Sequence, residues 1–145
     1  MPGAPVDVLR RVPLFANLSK REAQHIARLF KERRFPEGET VVREGSETVV
    51  REGSGGAAFF LIESGEASVL VGGKQRATLK PGDYFGEIAL IDEGARLATI
   101  TALSELKCYG LTYWDFRPLV QENGAIGWKL LQSLAKKLRD AHQGE

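Results

Sequence analysis

Residues 85–99 hold the most informative stretch of the chain, which reads Phe85-Gly86-Glu87-Ile88-Ala89-Leu90-Ile91-Asp92-Glu93-Gly94-Ala95-Arg96-Leu97-Ala98-Thr99. Gly86 can adopt a positive φ and lets a ligand approach the backbone closely. The run from Glu87 to Leu90 predicts one helical turn, whose free amide groups can face an anion. Arg96 adds a guanidinium that matches phosphate oxygens, and Glu87 can accept hydrogen bonds from hydroxyl groups. The stretch therefore predicts a site for a small anion that carries sugar hydroxyls.

The same residues resemble the phosphate-binding cassette of cyclic nucleotide-binding domains, the family of catabolite activator proteins and regulatory subunits of cAMP-dependent kinases. The family pattern, FGE-[LI]-AL followed by a short loop and R-x-A-[TS], is matched by residues 85–90 and 96–99. We call residues 85–99 the cassette. The resemblance implies that Glu87 holds the ribose 2′-hydroxyl and Arg96 the exocyclic phosphate oxygens. A plain ion pair between Glu87 and Arg96, with a turn at Gly86, stays open as the alternative.

The resemblance also implies a wider set of ligand-binding residues and a preferred ligand. The backbone amides of Ile88, Ala89, Leu97 and Ala98 are expected on the phosphate. Leu97 departs from the family pattern, where a small or hydroxyl-bearing residue is usual, and it is large enough to crowd the phosphate or the base edge. Because it lacks the hydroxyl that contacts guanine in cGMP-selective members, the implied ligand is cAMP rather than cGMP, without a metal. The full set is Phe85, Gly86, Glu87, Ile88, Ala89, Arg96, Leu97, Ala98 and Val69.

Composition restricts the class of protein. A chain of 145 residues with 43% hydrophobic content is predicted to form one domain. Its net charge of +1 gives no field that would draw in nucleic acid or an anionic membrane. The single cysteine, Cys108, fits a reducing compartment. The longest apolar run, residues 57–62, is too short to cross a bilayer, and the first residues do not resemble a signal peptide. We therefore predict a cytoplasmic protein.

The pattern along the chain predicts a mainly β fold, an antiparallel β-barrel or jelly roll flanked by helices at both ends. Residues 1–32 are assigned to N-terminal helices, one of them opened by a capping box of Ser19 and Glu22. Residues 33–112 are assigned to the barrel, and residues 113–145 to C-terminal lid helices. Glycine residues between the short apolar runs predict hairpin turns at Ser64-Gly65 and Gly72-Gly73 and a turn at Pro81-Gly82. The predicted strands cover residues 57–63, 67–71, 76–79, 97–103 and 106–111.

An octapeptide is repeated in tandem, since residues 39–46, Glu-Thr-Val-Val-Arg-Glu-Gly-Ser, recur as residues 47–54. We interpret this as a duplication, natural or engineered, of one strand with its turn. Eight is even, so either copy can serve as the strand without exchanging its faces. The other copy then lengthens a loop at a cost of about 1 kcal/mol. Switching between the two registers is a hypothesis at this point.

The C-terminal region is predicted to be helical. Thr112 and Asp115 are predicted to form a second capping box, which opens a helix over residues 114–120 that Pro118 is expected to end or kink. The last helix, residues 125–142, carries Ile126, Leu130, Leu131, Leu134 and Leu138 as one predicted apolar stripe. This stripe packs on its own domain or forms the seam of a homodimer. The resemblance implies that Trp128 or a neighbour caps the purine; packing against the barrel or a partner helix is the alternative.

These observations favour a sensor over an enzyme. Only two histidines are present, His25 and His142, at opposite ends of the chain. They are too few and too far apart to form a cupin-type metal cluster or to supply the catalytic base of a hydrolase. No P-loop is present. We predict a cyclic nucleotide-binding sensor domain that reports ligand occupancy through its C-terminal helices. The alternative is a structural or interaction module with the same fold and no ligand. The effector domain or partner protein is not indicated by the sequence.

Overall fold

The computed structural model describes residues 3–46, 57–92 and 95–143, with the side chain of Asp92 outside the description. Short helices come first: α1 (Val6–Leu9), a 3₁₀ turn (Pro13–Phe15) and α2 (Lys20–Ala27). The strands follow, with one small helix among them, and two helices end the chain. Their bounds are β1 (Lys31–Phe35), β2 (Thr40–Val42), β3 (Phe59–Ser64), β4 (Ala67–Val71), β5 (Lys74–Leu79), β6 (Tyr84–Phe85), α3 (Ala89–Asp92), β7 (Thr99–Ala102), β8 (Leu106–Leu111), α4 (Tyr113–Glu122) and α5 (Gly124–Gln143).

The described strands form two four-stranded antiparallel sheets, in the orders β1-β8-β3-β6 and β2-β7-β4-β5. This interleaved order is that of a jelly roll. The predicted mainly β fold with flanking helices is therefore confirmed, with two packed sheets in place of a single closed barrel. We call them the first and the second sheet in the order given.

Strand β3 explains how the molecule is layered, because its apolar side chains alternate between two cores. Phe60 and Ile62 pack between the two sheets with Ile100 of β7. Phe59 and Leu61 face the other way, into a core that the first sheet shares with the helices. Since both faces of this strand are buried, it reads as an uninterrupted apolar run rather than as alternating residues.

The first predicted capping box forms in full, and the structure gives the second only the bond to the hydroxyl of its N-cap residue. The hydroxyl of Ser19 accepts a hydrogen bond from the Glu22 amide at 3.1 Å, and the Glu22 carboxylate accepts one from the Ser19 amide at 2.9 Å. The hydroxyl of Thr112 accepts one from the amide of Asp115 at 3.0 Å. Such caps satisfy amides that the first turn of a helix leaves without intrahelical partners. They fix where α2 and α4 begin.

One predicted hairpin is wrong. Gly72 and Gly73 do connect the paired strands β4 and β5, but Ser64-Gly65 joins β3 of the first sheet to β4 of the second. Gly65 has a φ of +88°, and a Cβ atom there would collide with the carbonyl oxygen of Glu105. The chain therefore turns a corner between the sheets, a step that looks the same in sequence as a hairpin turn.

Pro118 does not end helix α4, because the helix continues past this residue to Glu122. A proline ring removes one helical hydrogen bond and crowds the preceding turn. Phe116, which is 3% exposed, anchors the helix in the core next to Phe15. We attribute the continuity of α4 to this packing.

The predicted single stripe of α5 divides into two faces. Ile126 and Leu130 are buried, and Leu134 packs partly against the same core. Leu131 and Leu138 are 58% and 68% exposed, as is the neighbouring Trp128 at 63%. Residues one position apart, such as 130 and 131, point about 100° apart on a helix, so the five apolar residues cannot share one buried face.

Strand β2 is formed by the first copy of the repeat. Thr40 pairs with Thr101, and Val42 pairs with Ile100, at the edge of the second sheet. The second copy, residues 47–54, lies outside the described residues.

Candidate functional site

The cassette leaves the first sheet at β6 and enters the second sheet at β7. Three hydrogen bonds fold its first half into a turn: the amide of Ala89 donates to the carbonyl of Gly86, that of Leu90 to Glu87, and that of Ile91 to Ile88, at 2.9–3.3 Å. Helix α3 begins at Ala89, two residues later than the predicted turn. Residues 93 and 94 of the cassette lie outside the described residues.

Gly86 is required at its position for two reasons. Its φ is +87°, a conformation that side-chain-bearing residues rarely adopt. A Cβ atom at residue 86 would also collide with the carbonyl oxygen of Ala58 and lie 2.8 Å from Nη1 of Arg96. The glycine therefore allows the backbone to pass directly beside the guanidinium.

Arg96 is buried, with 9% of its surface exposed. Its Nη1 donates to the carbonyl of Ala58 at 2.8 Å, and its Nη2 donates to the carbonyl of Ala57 at 3.1 Å. Burial lowers the pKa of this guanidinium, although arginine remains protonated in proteins. No described carboxylate forms a salt bridge with it. As far as the described residues show, the guanidinium is thus fixed by neutral groups, which leaves its charge available for an anion.

The first copy of the repeat holds the backbone of the same arginine. The amide of Gly45 donates to the carbonyl of Arg96, and the amide of Arg96 donates to the carbonyl of Ser46, both at 2.9 Å. Nearby, the amide of Glu44 donates to Oγ1 of Thr99 at 2.9 Å. The turn that follows β2 therefore fixes the second half of the cassette.

A cavity of about 170 Å³ lies beside Gly86 and Arg96. Every residue of the predicted ligand-binding set lines it except Val69, which sits on β4 beside Ile100. Ile100 itself lines the cavity, so Val69 is one strand away from it. The lining residues are Val42, Phe85, Gly86, Glu87, Ile88, Ala89, Ala95, Arg96, Leu97, Ala98 and Ile100.

Glu87 lines this cavity but does not pair with Arg96. Its side chain is 13% exposed, and its Oε2 lies 3.3 Å from Nζ of Lys137 on α5. The plain ion pair between Glu87 and Arg96 is therefore not the arrangement found, and the two charged groups line the cavity separately. The negative charge of Glu87 also acts on the neighbouring Tyr84, because burial, together with the negative charges of Glu87 and Asp83, raises the pKa of Tyr84.

The backbone amides of the cassette differ in how they are used. The amide of Ala89 is engaged by Gly86 inside the turn. Among the described residues, those of Ile88, Leu97 and Ala98 have no hydrogen-bond partner. Within the described parts of the chain, three of the four amides expected on the phosphate are therefore available to donate to a ligand.

Two of the predicted ligand contacts are largely exposed. Leu97 is 82% exposed at the edge of the cavity, so its side chain does not fill the space beside Arg96. Trp128 is 63% exposed on α5 and does not line the cavity in this structure. Its role as a cap over the purine stays a prediction.

Several contributors to the site were missed from the sequence. The carbonyl groups of Ala57 and Ala58 carry no side-chain signal, because any residue supplies a carbonyl. Val42 and Ile100 belong to strands whose pairing partner was not predicted. Lys137 lies fifty positions after Glu87, and one lysine among several on a helix gives no indication of such a distant partner.

Other kinds of site find no support in the described parts of the chain. No three histidine, cysteine, aspartate or glutamate side chains lie close enough there to hold a metal ion. Cys108 is buried between the sheets, and burial raises the pKa of its thiol to about 12. None of the helices described has both the length and the apolar character needed to span a bilayer.

Comparison with known proteins shows the family of the chain. Residues 32–123 match the model of a family described as the cyclic nucleotide-binding domain. A cAMP-dependent protein kinase regulatory subunit of Emericella nidulans is 37% identical over 114 residues, which cover 77% of this chain and 26% of that protein. The chain thus spans about a quarter of the length of this relative.

Two solved structures are similar over most of the chain. The N-terminal domain of a transcriptional regulator from Streptomyces coelicolor superposes with a TM-score of 0.82 at 27% identity, covering 94% of this chain and 96% of that one. The regulatory domain of Toxoplasma gondii PKA, crystallised with cAMP, gives a TM-score of 0.65 at 26% identity, covering 81% and 43% of the two chains.

Proposed function

Because the chain belongs to the cyclic nucleotide-binding domain family, we propose that the cavity beside Arg96 is its nucleotide site and that cAMP is the preferred ligand. Arg96 binds the exocyclic oxygens of the cyclic phosphate. The free amides of Ile88, Leu97 and Ala98 donate to the same phosphate, and Glu87 accepts a hydrogen bond from the ribose 2′-hydroxyl. Phe85, Gly86 and Ala89 complete the wall around them.

The observation that carries the proposal is the state of Arg96. A buried guanidinium in a structural role is normally paired with a carboxylate, because an unpaired buried charge is costly. Among the residues that the structure describes, two backbone carbonyls and no carboxylate hold it, and it faces a cavity beside a glycine. A monoanionic ligand would supply the missing negative charge, and donors fixed in advance bind with little ordering cost.

The preference for cAMP over cGMP rests on Leu97. An apolar side chain at the edge of the cavity cannot hydrogen-bond to the guanine amino group or carbonyl. Adenine has no carbonyl group, so its contact with Leu97 leaves fewer polar groups without a hydrogen bond. Because Leu97 is mostly exposed, it leaves room for either base. We therefore expect a modest preference, on the order of fivefold, since a single hydrogen bond is worth about 1 kcal/mol.

Packing supports a path from the cassette to the C-terminal helices. Leu90 of α3 is 2% exposed and belongs to the same core cluster as Phe116 of α4 and Ile126 and Leu130 of α5. A nucleotide that orders the cassette displaces or fixes Leu90, and the helices packed on it follow. The ligand shifts this equilibrium only by the difference in its affinity for the two arrangements.

Calorimetric titration of the purified chain with cAMP, cGMP and linear 5′-AMP tests this function. We expect binding of both cyclic nucleotides, tighter for cAMP, and much weaker binding of 5′-AMP, whose dianionic, uncyclised phosphate does not match the site. Tighter cGMP binding would reverse the preference while keeping the function. Absence of binding to all three would favour the alternative, a structural or interaction module with the same fold.

The remaining features of the proposal concern the whole protein. We propose that the chain is one non-catalytic, cytoplasmic sensor domain that acts on an effector domain or partner protein. The exposed face of α5, with Trp128, Leu131 and Leu138, is the surface through which a homodimer would form. Sedimentation that shows only monomer over a wide concentration range would remove the homodimer from the proposal.

A further inference from the structure

The carboxylate proposed to bind the ribose is held by a lysine from the last helix. Nζ of Lys137 lies 3.3 Å from Oε2 of Glu87. The Glu87 side chain is 13% exposed and that of Lys137 is 48% exposed, so the pair sits at the border between the cavity and solvent. The other charged group of the cavity, Arg96, is held separately by backbone carbonyls. Glu87 therefore depends on α5, not on the cassette, for its cation.

Helix α5 is fixed so that this lysine reaches the cassette. Ile126 and Leu130 bury its first turns, and Nζ of Lys129 lies 2.7 Å from Oε1 of Glu22 on α2. Beyond the half-buried residues 133 and 134, the described residues of the helix are exposed. Lys137 lies in this exposed end, where its contact with Glu87 joins the helix to the nucleotide cavity.

One carboxylate can serve both groups. An ionised carboxylate has two oxygens and about four lone-pair positions. Lys137 uses Oε2, which leaves Oε1 to accept a hydrogen bond from a sugar hydroxyl. The lysine also offsets the negative charge of Glu87, which would otherwise repel a cyclic phosphate in the same small cavity. The lysine and the hydroxyl are thus expected to assist each other at Glu87.

From this geometry we propose that Lys137 is a positioning residue for ribose recognition. It holds the Glu87 carboxylate toward the 2′-hydroxyl and links occupancy of the ribose site to the exposed end of α5. The inference rests on the proposed function of the cavity. Coupling between two sites is reciprocal, so a bound ribose in turn strengthens the contact between Lys137 and Glu87.

The test compares cAMP with 2′-deoxy-cAMP, which lacks only the hydroxyl in question. Kd values for both are measured by calorimetry on the full chain and on Lys137→Met, Lys137→Arg and Glu87→Gln. The matched control is Lys136→Met, because Lys136 is the neighbouring lysine and pairs with Asp140 within α5. Thermal unfolding of each variant checks that the fold is kept.

We expect the unaltered chain to prefer cAMP over 2′-deoxy-cAMP by about tenfold, the effect of one hydrogen bond to a charged group. Lys137→Met should reduce this ratio to about threefold, and Glu87→Gln should reduce it at least as far. Lys137→Arg should restore it, and Lys136→Met should leave it unchanged.

An unchanged ratio in Lys137→Met would overturn the assignment of Lys137 even if affinity for both nucleotides fell equally, because an equal loss is a general charge effect. A ratio that Lys136→Met lowers as much would also overturn it. Failure of the unaltered chain to bind either nucleotide would instead overturn the proposed function, and the role of Lys137 would fall with it. The two failures are therefore distinguishable.

Discussion

Arg96 and Gly86 depend on one and the same carbonyl group. The carbonyl of Ala58 accepts a hydrogen bond from Nη1 of Arg96, and the same oxygen leaves no room for a side chain at residue 86. The sequence motif indicates the glycine and the arginine but not the strand carbonyl that connects them. The position of the Arg96 guanidinium and the path of the backbone at Gly86 are therefore both set by the Ala58 carbonyl.

Substitution of Gly86 by alanine should therefore harm both stability and binding. The positive φ alone costs a residue other than glycine about 1–2 kcal/mol, and the collision with Ala58 adds to this. Gly82→Ala is the matched control, since Gly82 has a φ of +93° and nothing within 4 Å of the position of a Cβ atom. We expect Gly86→Ala to lower the free energy of unfolding in urea about twice as much as Gly82→Ala.

The same two variants separate strain from site damage in nucleotide affinity. Gly82→Ala should leave the Kd for cAMP nearly unchanged. Gly86→Ala should raise the Kd for cAMP at least about tenfold. The new side chain displaces the Ala58 carbonyl, and the Arg96 guanidinium then loses the acceptor that holds it in place for the phosphate. Equal losses of stability and equal Kd values for the two variants would show that no close approach exists at Gly86.

Elements with a regular pattern were predictable, and the connections between them were less so. The capping box at Ser19, the hairpin at Gly72-Gly73 and strand residues 67–71 and 106–111 follow from local chemistry, and all are present. The corner at Ser64-Gly65 was mistaken for a hairpin, because a glycine with positive φ serves both kinds of turn. Which sheet the next strand joins is decided by packing far away in the sequence.

Helix α5 shows a second limit of pattern analysis. Its apolar residues were predicted as one stripe, but Leu130 faces the core and Leu131 faces outward. The contact of Lys137 with Glu87 was not predicted either, since it depends on how the whole helix lies on the domain. The cassette residues themselves were predictable because they are close in sequence and line one cavity.

The tandem repeat permits a test at the level of one strand. Every contact of residues 39–46 with Arg96, Thr99 and β7 could be made by the identical residues 47–54. We expect Val42→Asp alone to cost less than half of the stability lost in the double variant Val42→Asp/Val50→Asp, because the second copy can replace the first. The double variant should lose about 2 kcal/mol or more, as expected for a partly buried carboxylate without a partner.

Val50→Asp alone should change little, since the first copy forms β2 in this structure. Urea unfolding of the unaltered chain, the two single variants and the double variant gives all four values. If Val42→Asp is as damaging as the double variant, the second copy cannot enter the sheet, and the hypothesis of two exchangeable registers is wrong.

The whole molecule places the cassette where its two cores meet. Its first half extends into the core shared with the helices through Leu90, and its second half joins the core between the sheets through Ala98, which packs against the cluster that contains Ile100 of β7. Lys137 adds a third connection, from α5 to Glu87. We therefore expect a ligand that orders the cassette to act on the sandwich and on the C-terminal helices together.

The most direct measurement is the affinity of Arg96→Ala for cAMP by calorimetry, beside the control Arg76→Ala, which removes an exposed arginine of β5. Loss of the charged donors to the phosphate should raise the Kd about 100-fold or more in Arg96→Ala, whereas Arg76→Ala should match the unaltered chain. Thermal unfolding must show that both variants remain folded. An unchanged Kd in folded Arg96→Ala would contradict the account, because the cyclic phosphate would then not be bound by this guanidinium.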